Sequence, residues 1–179
     1  MPHAIIILAD GFEEIEAVTC IDLLRRAGIT VTVLGLDAVD VRGAQNLWVK
    51  ADMPLAEFRD SFDAVVLPGG MPGTTNLAAS EETLNLIRFA YEEEKLCAAI
   101  CAAPAVLAKA GILSEKKVTC YPGCESYMSG ALLFEDAVVT DYNIITSRAV
   151  GTAIPFALEL IEVLAGQETA RKIKAAILY

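Results

Sequence analysis

At 179 residues, 55% hydrophobic and 21% charged, the chain has enough apolar material for a substantial core and reads as a single domain over residues 1–179. The 14 basic residues against 24 acidic ones leave a formal net charge of −10, a field that repels phosphate backbones and anionic bilayers, so neither nucleic acid nor a membrane is an expected partner. Five cysteines (Cys20, Cys97, Cys101, Cys120 and Cys124) suit reduced thiols better than a disulfide scaffold, and with His3 the sole histidine no zinc-module spacing fits, so no metal is expected.

The opening run lacks a basic n-region and breaks at Asp10, too short for a signal peptide or a membrane span, which predicts a cytoplasmic protein. A strand over residues 4–9 is followed by a helix over 13–27 and a strand over 30–36. Residues 40–51 suit a small hairpin, which together with Trp48 is assigned to packing or to a subunit interface. A strand at 63–67, a helix at 81–94, a strand at 96–100, a helix at 104–110 and a strand at 117–120 come next. Residues 137–140 and 143–146 read as a second hairpin around Asp141-Tyr142, and helices at about 152–165 and 168–177 close the chain. Continuous apolar strands separated by helices predict an α/β sandwich around a parallel sheet.

In such sheets ligands bind beyond the carboxyl ends of the strands. Four loops qualify, at residues 10–16, 68–73, 101–103 and 120–123. The segment Ala98-Ala99-Ile100-Cys101-Ala102-Ala103-Pro104 runs from an apolar strand through small residues into a helix that begins at a proline, the cysteine counterpart of a nucleophile elbow. The positive end of that helix favours a thiolate, so Cys101 is a candidate reactive thiol; a buried cysteine at a strand end is the alternative. The Pro68-Gly69-Gly70-Met71-Pro72-Gly73 loop matches no nucleotide-binding signature, and either Gly70 brings its N–H to an oxyanion or the loop is a plain turn.

A thiol nucleophile commonly takes a histidine as base. His3 precedes the first strand, roughly 20 Å from the far end at about 3.3 Å per residue, which disfavours a Cys–His peptidase or a Cys–His–Glu glutaminase within one chain. Attention passes to Glu13, Glu14 and Glu16, which open the first helix and could simply complement its dipole. Glu16 continues through Cys20, Leu23 and Ala27 on the apolar stripe, so desolvation should raise its pKa and fit it for proton transfer, whereas Glu14 shares a face with Val18, Asp22 and Arg25 and is expected in solvent. Arg148, just before a long helix, could form an anion site, or pair with an acid while Thr152 caps the helix. Cys97 is assigned to packing; Cys120 and Cys124 are either resolving thiols or ordinary buried cysteines.

Taken together, Gly11-Phe12-Glu13-Glu14-Ile15-Glu16, Asp22-Leu23-Leu24-Arg25-Arg26-Ala27-Gly28-Ile29, Val66-Leu67-Pro68-Gly69-Gly70, the 98–104 elbow and Thr146-Ser147-Arg148 with Gly151-Thr152 resemble the DJ-1/ThiJ/PfpI superfamily, nearest to its DJ-1/YajL branch, over nearly the whole chain. The resemblance implies a flavodoxin-like three-layer sandwich assembled as a homodimer. It maps the reactive cysteine onto Cys101, the partner glutamate onto Glu16, and the oxyanion donors onto Gly70 and the N–H of Ala102. It further implies cofactor-independent glyoxalase or deglycase chemistry on methylglyoxal-like α-oxoaldehydes, with an oxidative-stress or chaperone role in which the cysteine becomes a sulfinate. Many such proteins carry a histidine where this chain has Tyr121, which shifts proton transfer onto Glu16.

Overall fold

The structure, a computed structural model, describes residues 1–179. In chain order the elements are β1 (His3–Leu8), α1 (Glu14–Arg26), β2 (Thr30–Gly35), β3 (Asp40–Arg42), β4 (Trp48–Lys50), β5 (Met53–Pro54), β6 (Ala64–Leu67), α2 (Gly73–Ala79) and α3 (Glu81–Glu92). There follow β7 (Leu96–Ile100), α4 (Pro104–Ala110), β8 (Lys117–Val118), β9 (Leu132–Leu133), β10 (Val138–Asp141), β11 (Ile144–Ser147), α5 (Ala153–Ala165) and α6 (Gln167–Ala176). Seven strands form the central sheet in the order β10-β11-β7-β6-β1-β2-β5, and every pairing is parallel except β10 with β11.

The strand β1 shows why the sheet has helices on both faces. Its side chains point alternately up and down, yet both sets are apolar. Ala4, Ile6 and Leu8 join a core with residues of α1, α5 and α6, whereas Ile5 and Ile7 join a second core with residues of α2, α3 and α4. The result is the three-layer, flavodoxin-like α/β arrangement, with no helix long and apolar enough to cross a membrane. From the middle of the sheet the strand order runs out through β2 on one side and through β6 and β7 on the other, so the switch point lies between β1 and β6 and opens a crevice at their carboxyl ends.

Three local features depart from the sequence expectation. The segment after Gly73 is a helix, α2, although Thr74, Thr75 and Asn76 are weak helix formers; Leu77 and Thr74 are buried there, and tertiary packing outweighs propensity. The strand expected at 117–120 is shorter and stands outside the central sheet, pairing in parallel with β9. A two-residue strand, β5, adds an edge beside β2, held by the Asp52 carboxylate, which accepts the Val33 N–H at 2.8 Å. The two expected hairpins are present as β3–β4 and β10–β11, the latter turning through Tyr142 at φ 57°.

Candidate active site

The chain leaves β7 at Ile100 and reverses at once, and the residue that makes the turn is Cys101, held at φ 65°. A non-glycine residue in the left-handed region costs roughly 1–2 kcal/mol, so the turn is held by its surroundings. The Cys101 N–H donates to the Ser147 carbonyl at 3.0 Å, and its carbonyl accepts the Tyr121 N–H at 2.8 Å. Small residues follow because the helix starts immediately: Ala102 and Ala103 are buried, and Pro104 opens α4, where no intrahelical donor is lost.

The glycine loop after β6 closes over the elbow. The Glu13 N–H donates to the Gly69 carbonyl at 2.8 Å, which ties the loop to the start of α1. Gly70 adopts φ 92°, and a Cβ there would land on the Glu13 nitrogen and the Gly11 carbonyl. Gly69 carries the tightest constraint at the thiol itself. A Cβ on it would lie 2.6 Å from the Cys101 Cβ, 2.9 Å from Glu16 Oε2 and 2.9 Å from the Ile100 carbonyl. Sequence reasoning singled out Gly70 and missed Gly69, for which the tandem glycine was the one available signal.

Glu16 reaches this point from the apolar stripe of α1 and has no solvent exposure. Its Oε2 accepts the Gly69 N–H at 2.8 Å, while Oε1 is buried with no hydrogen-bond partner and the Cys101 thiol is close enough to act on the carboxyl. Burial pushes the Glu16 carboxyl up to about 7 and Glu13 adds a smaller push, against the pull of the Gly69 N–H and Cys101. A proton is therefore on and off this group near neutral pH.

The thiol behaves differently from the acidic cysteine that the helix end predicts. Burial first, then the charge and hydrogen bond of Glu16, push Cys101 up to about 12, and the N–H groups of Ala102 and Gly70 pull the other way. Desolvation beside a carboxylate outweighs the end of a seven-residue helix. Protonating Glu16 removes the carboxylate's share of that push, so charge on the two groups is mutually exclusive. The Ala102 and Gly70 N–H groups have no carbonyl partner elsewhere, which leaves both donors facing the thiol.

The other candidates lie nearby or fall away. Arg148 forms no ion pair with any acid; its charge instead pulls on Cys120, whose thiol burial, Glu125 and Cys124 nonetheless push up to about 11. Thr152 occupies the position before α5, but its hydroxyl turns back to accept the Ala149 N–H at 3.0 Å and the Arg148 N–H at 3.2 Å, rather than capping the helix. Cys97 and Cys20 are fully packed, and burial pushes Cys97 up to about 12. His3 sits at the amino end of β1, hydrogen-bonded to Thr32 Oγ1 at 2.8 Å and the Ser61 carbonyl at 2.7 Å, so it cannot serve this thiol within the chain. No group of three or more His, Cys, Asp or Glu side chains is placed to hold a metal ion.

Glu14 corrects the sequence reading. Glu14 is buried, 7% exposed, and its Oε1 accepts the Gln45 N–H at 2.6 Å and the Leu47 N–H at 3.4 Å, binding the β3–β4 hairpin to α1. Helical periodicity could not show this, because the partner is a loop some thirty residues away. Of the two roles expected for Trp48, its 62% exposure removes packing within the chain and leaves the subunit interface.

Comparison with known proteins gives the family and agrees with the fold. The model of the DJ-1/PfpI family matches residues 2–163. Protein dj-1beta of Drosophila melanogaster is 42% identical over 98% of this chain and 96% of its own length. The glutathione-independent glyoxalase DJR-1.2 of Caenorhabditis elegans is 34% identical over 92% of this chain and 89% of its own. The crystal structure of Drosophila DJ-1beta superposes with a TM-score of 0.96, covering 99% of this chain and 97% of that one.

Proposed function

The chain belongs to the DJ-1/PfpI family, and on that footing we propose that it is a cofactor-independent thiol enzyme converting methylglyoxal-like α-oxoaldehydes to 2-hydroxy acids. The observation that carries this reading is the closed triangle at the end of β7: a strained, half-buried thiol, two unused N–H donors facing it, and a buried carboxyl at about 7 beside it.

Cys101 passes its proton to Glu16, and the thiolate adds to the aldehyde carbon, forming a C–S bond as the carbonyl π pair moves to oxygen. The Gly70 and Ala102 N–H groups hold that oxyanion. Glu16 returns the thiol proton to that oxygen to give the neutral hemithioacetal, and the carboxylate so freed takes the hydrogen of the former aldehyde carbon as a proton and delivers it to the adjacent carbonyl carbon through an enediol. The first carbon is thereby oxidised to a thioester and the second reduced to an alcohol, with no outside oxidant or reductant. Water cleaves the C–S bond, releasing the hydroxy acid and restoring the thiol. Taking the proton from a thiol at about 12 is uphill for a carboxyl at about 7, so thiolate formation is coupled to C–S bond formation, whereas the later transfers suit a group that titrates near neutral pH. The same relay would serve deglycation, in which the carbonyl arrives as an adduct on an amine or thiol. Purified protein should form lactate from methylglyoxal, and Cys101→Ser or Glu16→Gln should lower kcat/KM by at least about a hundredfold; activity retained in either variant refutes the roles.

A second reading, a redox sensor with chaperone activity under oxidative stress, draws support from one contrast. Cys101 and Cys124 are partly open to solvent whereas Cys20, Cys97 and Cys120 are buried, and of the two exposed thiols only Cys101 has a protonated Glu16 beside it to donate to a sulfinate. Mass spectrometry after graded peroxide should find Cys101 oxidised before Cys20 and Cys97; equal oxidation of all three rejects the sensor.

The proposed assembly is a homodimer. Ile15 and Val18 on α1 and Leu47 and Trp48 on the docked hairpin are large apolar side chains left exposed around the Glu14 junction, a patch suited to a second copy.

A further inference from the structure

A cleft of about 660 Å3 runs between α2, α4 and the loop at residues 122–127, and it starts beside Ala102, whose N–H faces the Cys101 thiol. Methylglyoxal has five heavy atoms and, at roughly 20–30 Å3 each, fills on the order of a fifth of that space. The surplus room follows from the sequence. Ala105 and Ala108 succeed each other at helical spacing along α4, Ala102 lies in the turn before it, all three present only methyl groups, and Ala78 of α2 also lines the cleft.

Two polar features mark the ends of this track. At the inner end Thr74 is 5% exposed, lines the cleft, and its hydroxyl has no hydrogen-bond partner; its own N–H donates to the Gly70 carbonyl at 2.9 Å, which fixes it next to the oxyanion donors. At the outer end Lys109 is exposed, lines the cleft and forms no ion pair in a chain of net charge −10. The acid on the facing loop, Glu125, is engaged by the Gly123 N–H at 2.7 Å.

We propose that this cleft is a substrate-tail site, and that the preferred substrates are α-oxoaldehydes with a linear apolar tail ending in a carboxylate. The aldehyde lies at Cys101, the chain lies along Ala105, and the carboxylate meets Lys109. From Pro104 to Lys109 the helix rises about 7.5 Å at about 1.5 Å per residue. With C–C bonds of about 1.5 Å in a zigzag, a tail of about six to eight carbons spans that distance. The proposal rests on the oxoaldehyde activity for its reactive end, while the tail site stands on the cleft itself.

The test compares methylglyoxal, 2-oxooctanal and the same eight-carbon aldehyde ending in a carboxylate, alongside calorimetric binding of octanoate, which needs no turnover. Wild type should favour the carboxylated aldehyde over methylglyoxal by about tenfold or more in kcat/KM. Lys109→Glu should remove about fivefold or more of the carboxylate's advantage and weaken octanoate, leaving methylglyoxal, which is too short to reach it, within about twofold. Ala105→Leu should block both long aldehydes in the same way; should it fail to fold, the exposed Lys109→Glu variant still decides. Octanoate binding that persists without any methylglyoxal turnover would refute the oxoaldehyde activity and keep the tail site. Methylglyoxal turnover with no gain for either long aldehyde and no octanoate binding would overturn the tail site alone, and octanoate bound equally by Lys109→Glu would overturn the role of the lysine.

Discussion

Glu16→Gln tests the buried carboxyl through stability, independently of any substrate. In the folded chain Glu16 titrates at about 7, against 4.5 for the unperturbed group. A raised folded value means that the folded state holds the proton more tightly, so stability is greatest below 4.5 and falls as pH climbs through 7. The full shift corresponds to about 3 kcal/mol at about 1.4 kcal/mol per pH unit, of which about 2–3 kcal/mol accrues between pH 5 and 8. Glutamine carries no charge to desolvate, and its amide oxygen can still accept the Gly69 N–H. Urea denaturation at pH 5 and pH 8, at one protein concentration, should therefore show the variant gaining about 2–3 kcal/mol on wild type at the higher pH. With an m-value of about 2 kcal/mol/M the two midpoints should separate by about 1 M more at pH 8 than at pH 5. The four other cysteines and every surface acid are common to both proteins and cancel in the difference. A gap that is the same at both pH values, within about 0.5 kcal/mol, would show that Glu16 titrates as an ordinary carboxylate and would remove it as the proton carrier.

Two further substitutions probe how the site is held. Gly69→Ala places a methyl group against Cys101, Glu16 and the Ile100 carbonyl, all of them fixed, so overpacking should cost about 1–3 kcal/mol in thermal unfolding and displacement of the pair should lower kcat/KM about a hundredfold; a variant with wild-type activity would mean the loop can retreat. Glu14→Ala removes the acceptor for the Gln45 and Leu47 N–H groups, and should cost about 1–3 kcal/mol and weaken self-association by sedimentation through loosening of the hairpin; unchanged stability would show that the hairpin stands without it.

The oxoaldehyde relay and the proposed tail site meet at a single peptide. The Ala102 N–H faces the thiol, and Ala102 also lines the cleft. Any larger residue at this position would crowd both, which accounts for the run of small residues after the cysteine as well as the sharp turn does.

What the sequence alone determined was carried by local pattern. Unbroken apolar runs gave the parallel sheet, the Ile100-Cys101-Ala102-Ala103-Pro104 run marked the elbow, and the stripe of Glu16, Cys20 and Leu23 on α1 placed one glutamate of three in the core, where the structure has it. Tertiary structure alone decided the rest. The burial of Glu14 depends on N–H groups 31 and 33 residues further along. The helix α2 forms against its sequence propensity because Leu77 and Thr74 are covered by neighbouring elements. The need for glycine at position 69 arises where three separate segments converge on one point. The direction of the Cys101 titration likewise turned on desolvation and on a carboxylate from another helix, not on the nearby helix end. Periodicity and turn chemistry act between residues close in the chain, whereas desolvation, steric exclusion and Coulombic coupling depend on distance in space, which exists only once the chain has folded.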